Sequence, residues 1–381
     1  MRPPLSSLES LRTVHILDCD ILTEIFSVCV VLDSLEDSST LDTRRAPWVL
    51  GQVCHMWRQI ALSSPLLWVY IKIRNAGSQS NEAYMLFLLD LHISRSKSCN
   101  LNVDIHCGIG FQRCPLILLK LISTSSRWNV LAINIPLSSY TSLSALAGRL
   151  RVDSLQMLHI HSPHRNKQQA MHDFGQLMDV IRIFKFCYNL RHLSLHDIPF
   201  PRDIFQLPWS EIQHFSSRSL STLTDNWTSF RTLLGLRNLT FCLLECRLSA
   251  NCQKTPLLTL PVLHSMTLIS TNDDVGVGDG REVVQMLSWL TLPSLKCLRL
   301  HHKLQEESEA CLIHELTQLV SRSRCATKEL LLHLSPPLSG TSIASITSNV
   351  PNSELLRQIQ TSPLCSGISG PAFCPVTGCQ R

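Results

Sequence analysis

Residues Pro47 to Trp68 read PWVLGQVCHMWRQIALSSPLLW. Leu50, Val53, Cys54, Trp57, Ile60 and Ala61 recur at helical spacing, which gathers all six on one face of an α-helix. Pro47 stands in what is then the first turn, where a helix tolerates proline because that N–H has no intrahelical partner. Ser63, Ser64 and Pro65 end the helix, and Leu66, Leu67 and Trp68 supply a second apolar anchor.

Upstream, residues 17 to 26 read LDCDILTEIF. Leu22, Ile25, Phe26 and Cys29 repeat at i, i+3, i+4 and i+7, so an amphipathic helix of about three turns is predicted there. Asp18 or Asp20 is placed to cap it by accepting a hydrogen bond from a free N–H of the first turn. The stretch from Asp33 to Arg45, DSLEDSSTLDTRR, is polar and reads as a mobile surface loop between the two helices.

In order, the two stretches resemble an F-box, in the version abundant in fungal F-box-like proteins. Leu17, Ile21, Leu22, Glu24, Ile25 and Phe26 match its opening. Leu50, Val53, Cys54, Trp57, Ile60, Ala61, Ser63, Pro65, Leu67 and Trp68 match its second half. Asp18 departs from the usual proline and Asp20 from the usual glutamate. The resemblance covers residues 15 to 73, under a fifth of the 381-residue chain. It implies docking of a Skp-type adaptor of a cullin ubiquitin ligase, with Leu17, Ile21, Leu22, Ile25, Phe26, Val53 and Trp57 as the partner-binding set.

Beyond Trp68 a pattern apolar-x-x-apolar-x-apolar recurs: Trp128-Leu131-Ile133, Leu155-Leu158-Ile160, Leu190-Leu193-Leu195, Leu236-Leu239-Phe241, Leu263-Met266-Leu268 and Leu295-Leu298-Leu300. Ile212-Phe215 is a partial copy, Leu101-Val103-Ile105 an entry strand, and Leu330 and Leu332 a last member. Residues two apart on a strand point the same way, so the last two apolar positions face one core and the first turns into it at a preceding bend. The starts lie 22 to 35 residues apart. This resembles a leucine-rich repeat, with helices or loops filling the longer gaps. Met171 to Phe186, Arg281 to Leu290 and Ser308 to Val320 are the helix-like connections. Three buried Leu-like side chains contribute about 5–9 kcal/mol per repeat, while ordering some 25 residues opposes this with tens of kcal/mol. Such repeats are therefore stable only when stacked.

The fold expected is α/β: a small N-terminal helical F-box-like domain followed by an irregular leucine-rich-repeat solenoid. Its parts are a tail at 1–14, the F-box-like domain at 15–73, the repeat region at 74–334 and a Ser-, Thr-, Pro- and Gly-rich tail at 335–381, read as mostly disordered.

Charged residues are 17% of the chain and the mean hydropathy is +0.11, the excess coming from leucines spread along the whole length. No apolar run approaches the ~18–20 residues that span a bilayer. The first residues, MRPPLSSLESLRT, lack the apolar core of a signal peptide, so an intracellular location, cytoplasm or nucleus, is expected. The sixteen cysteines are then read as reduced thiols. Basic residues are scattered singly with no interleaved aromatics, which gives no support to nucleic-acid binding.

Chemistry-bearing patterns are sparse. Cys242, Cys246 and Cys252 with His264 offer only one Cys pair of zinc-site spacing, and Cys374 with Cys379 has no partners. His159, His161 and His164 alternate without a carboxylate close in sequence. Asp273 to Gly280, DDVGVGDG, lacks both the EF-hand ligand order and the lysine of a P-loop, and Asp279 is read as a helix cap. No nucleophile, base and orienting acid form a local signature. The expectation is a non-enzymatic adaptor without metal or cofactor, whose F-box docks the Skp adaptor and whose repeats hold a target protein. The alternative is a repeat scaffold unrelated to ubiquitination, its degenerate helices capping the array; Asp18 in place of the proline keeps that alternative open, since a charge there weakens an apolar docking surface.

Overall fold

The computed structural model describes residues 17–36, 38–74, 82–106, 115–135, 150–162, 181–198, 201–218, 226–247, 257–270, 281–303, 306–325 and 327–335. The chain is mixed α/β, built on a mostly parallel sheet of ten strands, with a second sheet of two strands. It divides into two compact units between Leu131 and Ala132.

In the first unit, helix α1 (Cys19–Leu35) is followed by α2 (Leu50–Val53), α3 (His55–Ser63) and a one-turn 3-10 helix at Pro65–Trp68. The continuous helix expected from Pro47 onward is thus broken. Cys54 takes an extended conformation, φ −156° and ψ 172°, and its sulfur accepts from the Trp57 N–H as the cap of α3. A capping residue ends one helical segment and starts the next, which periodicity alone does not reveal. Asp18 holds the cap position of α1, but its side chain makes no cap hydrogen bond; its carbonyl accepts from Leu22 N–H.

Leu22, Phe26 and Val30 of α1 pack on Leu50, Ile60, Ala61, Leu67 and Trp68. Trp57 lies partly buried against this core, its ring 4.8 Å from that of Phe26. The Trp68 indole N–H donates to the Ala61 carbonyl at 2.8 Å, so the 3-10 turn is fastened to α3 as well as packed on it.

The 33–45 segment is tied down where a mobile loop was expected. Helix α1 runs on to Leu35. Lys72 of strand β1 (Tyr70–Arg74) donates from its ammonium to the carbonyls of Ser34 and Glu36. These are among the carbonyls a helix end leaves without partners, and a cation is favoured there. Thr40 N–H and the Ser39 hydroxyl donate to the Lys72 carbonyl, Asp33 accepts from Ala46 N–H at 2.8 Å, and Leu41 is buried. Strand β1, absent from the sequence reading, pairs in parallel with β2 (Leu101–His106). Helices α4 (Glu82–Arg95) and α5 (Pro115–Ile122) belong to the same unit, and β3 (Trp128–Asn134) crosses the division.

The second unit continues from β3 through β4 (Met157–His161), β5 (His192–His196), β6 (His214–Arg218), β7 (Phe241–Cys246), β9 (Ser265–Ser270), β11 (Cys297–Lys303) and β12 (Glu329–Ser335), hydrogen-bonded in that order. From β4 to β12 every one of these pairings is parallel. Short strands β8 (Leu258–Thr259) and β10 (Leu290–Thr291) pair with each other. The helices are α6 (Pro201–Ile204), α7 (Asn226–Leu233), α8 (Arg281–Ser288) and α9 (Glu306–Ser323).

The register brings the apolar motif into rows. Leu158, Leu193, Phe215, Cys242, Met266, Leu298 and Leu330 stand opposite one another from strand to strand. Ile160, Leu195, Ser217, Leu244, Leu268, Leu300 and Leu332 form the next row. One expected copy shifts: Leu239, Cys242 and Leu244 occupy the positions assigned to Leu236, Leu239 and Phe241, and the Phe241 side chain is only half-buried. Two overlapping leucine triplets fitted the pattern, and the sheet register selects the one in which buried Cys242 serves as an apolar residue.

A second repeat is written in the backbone. The carbonyl just before each strand accepts two consecutive N–H groups from the next: Gln156 from Arg191 and His192, Arg191 from Gln213 and His214, and Gln213 from Thr240 and Phe241. Thr240, His264 and Lys296 continue the series. Each bend is thereby held to its neighbour at the same place.

Of the connections expected to be helical, Arg281 to Leu290 contains α8 and Ser308 to Val320 lies within α9. In Met171 to Phe186, residues 181–186 form a bridge and turns, and the remainder lies outside the described residues. So do the tails at 1–14 and 336–381, Cys252, His164 and the 273–280 loop, whereas Ser335 ends β12.

Candidate functional site

Helix α1 is apolar on two faces. One carries Leu22, Phe26 and Val30 into the core. The other carries Ile21, Ile25, Val28, Leu32 and Leu35, preceded by Leu17, all between 39 and 58% exposed. Steps of three and four residues hold this second set to one stripe along the helix. From Ile21 to Leu35 the stripe extends about 21 Å at 1.5 Å per residue. Isolated exposed leucines are ordinary on a protein surface, whereas a contiguous aliphatic stripe marks a surface that another apolar surface covers.

The seven residues implied by the F-box resemblance divide between these faces. Leu17, Ile21, Ile25 and Val53 lie at the surface, Val53 at the end of α2 and 59% exposed. Leu22 and Phe26 are interior, and Trp57 closes the core from its edge. Val28, Leu32 and Leu35 belong to the exposed stripe and were not singled out from the sequence. Their signal was the same three-and-four spacing carried two turns further, inside a segment read in part as loop.

The outward face of the second unit's sheet is rich in imidazole. Along the first row run Met157, His192, His214 and Phe241; the His192 and His214 rings stack at 4.3 Å, and His214 and Phe241 at 5.7 Å. The second row holds His159, Ser194, Ser216 and Leu243. In the third, His161, His196 and Arg218 stand side by side on three strands.

The carboxylate that His161 lacked in sequence arrives through the fold. Asp197, buried just past the end of β5, places Oδ2 3.5 Å from His161 Nε2. Asp197 has φ +56°, a left-handed conformation that aspartate tolerates better than most residues. Burial pushes the imidazoles of His159, His192 and His196 down to about 4; like-charge neighbours add to this at His192 and His196. At neutral pH these rings are uncharged hydrogen-bonding groups. His301 of β11 and His333 of β12 form a second stack at 4.3 Å.

Cys242 and Cys246 lie on the core side of β7, where burial pushes both thiols up, away from the thiolate a metal site requires. Among the described residues no group of three or more His, Cys, Asp or Glu side chains has the geometry to hold a metal ion. Also among them, no helix is long and apolar enough to cross a membrane. No family model matches the chain, and no curated protein matches it.

Proposed function

We propose that this chain is the substrate-recognition adaptor of a Skp/cullin/F-box-type ubiquitin ligase. Helices α1 to α3 dock the Skp-type adaptor, and the second unit is a leucine-rich-repeat solenoid whose strand face holds the target protein. The single observation that carries the docking half is the exposed stripe of Ile21, Ile25, Val28, Leu32 and Leu35 on a helix whose opposite face is already buried. It supplies an apolar surface without any rearrangement of the core. The solenoid reading is supported by the in-register apolar rows and the recurring carbonyl that accepts two N–H groups. The adaptor works by proximity: holding a target beside the ubiquitin-loaded enzyme raises its effective concentration there.

The test is Ile21→Asp. Ile21 is 52% exposed, so a carboxylate at that position stays hydrated in the free protein and is desolvated only in the complex. Capture of a purified Skp adaptor should fall by about a hundredfold or more, on the scale of a buried unpaired charge, while the helical signal and melting temperature stay unchanged. If wild-type protein has no measurable affinity for that adaptor, the ligase reading fails. The chain is then a protein-interaction scaffold unrelated to ubiquitination.

A further inference from the structure

The strand face over β5, β6 and β7 is not uniform. On β5 and β6 it presents hydrogen-bonding groups: His192 and His214, Ser194 and Ser216, His196 and Arg218, each pair in register. On β7 the first two rows change to Phe241 and Leu243. Arg218 makes no ion pair among the described residues. Its charge is felt by His196 on the neighbouring strand and by His301 on β11. Two carboxylates lie near. Asp197 is buried and directed at His161. Glu245 closes the outward row of β7, half-buried.

We propose that this face binds an extended, acidic–apolar segment of the target, a carboxylate side chain seated on Arg218 and His196 and apolar side chains on Phe241 and Leu243. A guanidinium presents a planar fork that matches a carboxylate in two parallel hydrogen bonds. The neutral His196 ring and the hydroxyls of Ser194 and Ser216 add donors without adding charge. An extended chain places like-facing side chains about 7 Å apart, and neighbouring strands lie about 4.8 Å apart. A carboxylate on β6 and an apolar residue on β7 are thus within the reach of one segment. The inference rests on the strand face being the target-holding surface; it does not depend on Skp docking.

The test uses the full chain, immobilised, and two degenerate peptide pools. One contains Asp and Glu among apolar residues; the other has Asn and Gln in their place. Wild-type protein should retain the acidic pool selectively, and Arg218→Gln should reduce that retention about tenfold or more, as loss of one charge-assisted contact does. Arg44→Gln removes the same charge from an exposed position in the first unit and should leave retention unchanged. Equal melting temperatures of wild type and Arg218→Gln exclude unfolding as the cause, and Ser216→Glu, a like charge on the same face, should repeat the loss.

Equal retention of both pools by wild type overturns the acidic preference while leaving the face a docking surface. Retention of neither pool removes the docking surface itself. Retention that ignores Arg218, or that appears only when the peptides carry phosphate, likewise overturns the assignment of a carboxylate to this residue.

Discussion

Replacing His92 by glutamine probes how the first unit responds to acid. His92 lies fully buried on α4, its ring 5.1 Å from that of Trp68 and 6.1 Å from that of Trp48, while the Arg95 guanidinium sits over both indoles at 4.4 and 4.9 Å. Burial pushes its imidazole down to about 4; the Arg95 charge acts in the same direction and backbone groups of Tyr70 and Trp68 against it. In the unfolded chain the ring protonates near its ordinary value of about 6.5. Above that pH both states are neutral and His92 contributes no pH dependence. Between the two values the unfolded chain takes up a proton that the native state refuses, so stability falls as the pH falls. Below about pH 4 both states are protonated and the loss levels off. A gap of roughly 2.5 pH units amounts to about 3 kcal/mol in all, of which about 2 kcal/mol is lost between about pH 7 and about pH 5. The assay is urea unfolding followed by tryptophan fluorescence at both pH values, in wild type and in His92→Gln. Truncation lowers stability at every pH, but that constant loss cancels when each protein is compared with itself, and the other histidines contribute equally to both. The wild type should lose about 2 kcal/mol more than the variant on acidification. An identical pH response in the two proteins would refute the reasoning.

Two further outcomes follow from burial. Phe26→Ala should destabilise the first unit by about 3–5 kcal/mol, since Phe26 is 0% exposed, whereas Val28→Ala two residues along should cost about 0.5 kcal/mol or less, its side chain being 56% exposed; denaturant midpoints of the two variants check the contrast. Among the described cysteines, an alkylating reagent at neutral pH should modify Cys19 and Cys311 first, both exposed, and reach Cys187, Cys242 and Cys246 only on unfolding. Burial pushes the Cys187 thiol up to about 12 and those of Cys242 and Cys246 up as well, which withholds the reactive thiolate; mass spectrometry of native and urea-treated protein reads the order.

The apolar rows of the sheet were legible because apolar residues two apart on a strand have to face the same way, and six of the strands carry such a pair, β6 having Phe215 with Ser217. The 236–244 segment was misread because leucines at 236, 239, 243 and 244 satisfy more than one register, and only pairing with β6 and β9 selects Cys242. The polar 33–45 stretch looked unstructured because its partners are remote: Lys72 is 38 residues beyond the carbonyl of Ser34 that it holds. The same limit applies to the strand face. His161 and Asp197 are brought within 3.5 Å by parallel pairing across the connection 162–191, a juxtaposition that no local spacing carries.

Helix α1 shows why matching a motif does not assign its roles. Leu22, Ile25 and Phe26 answer equally to the F-box pattern, yet Ile25 is 41% exposed while Leu22 and Phe26 are inside. A helix needs only one apolar stripe to join a core, and a solvated outer face is better served by charged side chains. Here the outer face carries Ile21, Ile25, Val28, Leu32 and Leu35, while charge lies beside it at Glu24 and at the ends, as Asp18 and Asp20 at the N-terminus and the Lys72 ammonium at the C-terminal carbonyls. Asp18, Asp20 and the Lys72 ammonium have the sign that the helix dipole favours, while Asp33 in the last turn has the opposite sign and is held by Arg45 and the Ala46 N–H. The folding requirements of α1 are therefore met by its inner stripe and its two ends. The outer stripe is not needed for them, and it is the surface assigned above to the proposed partner.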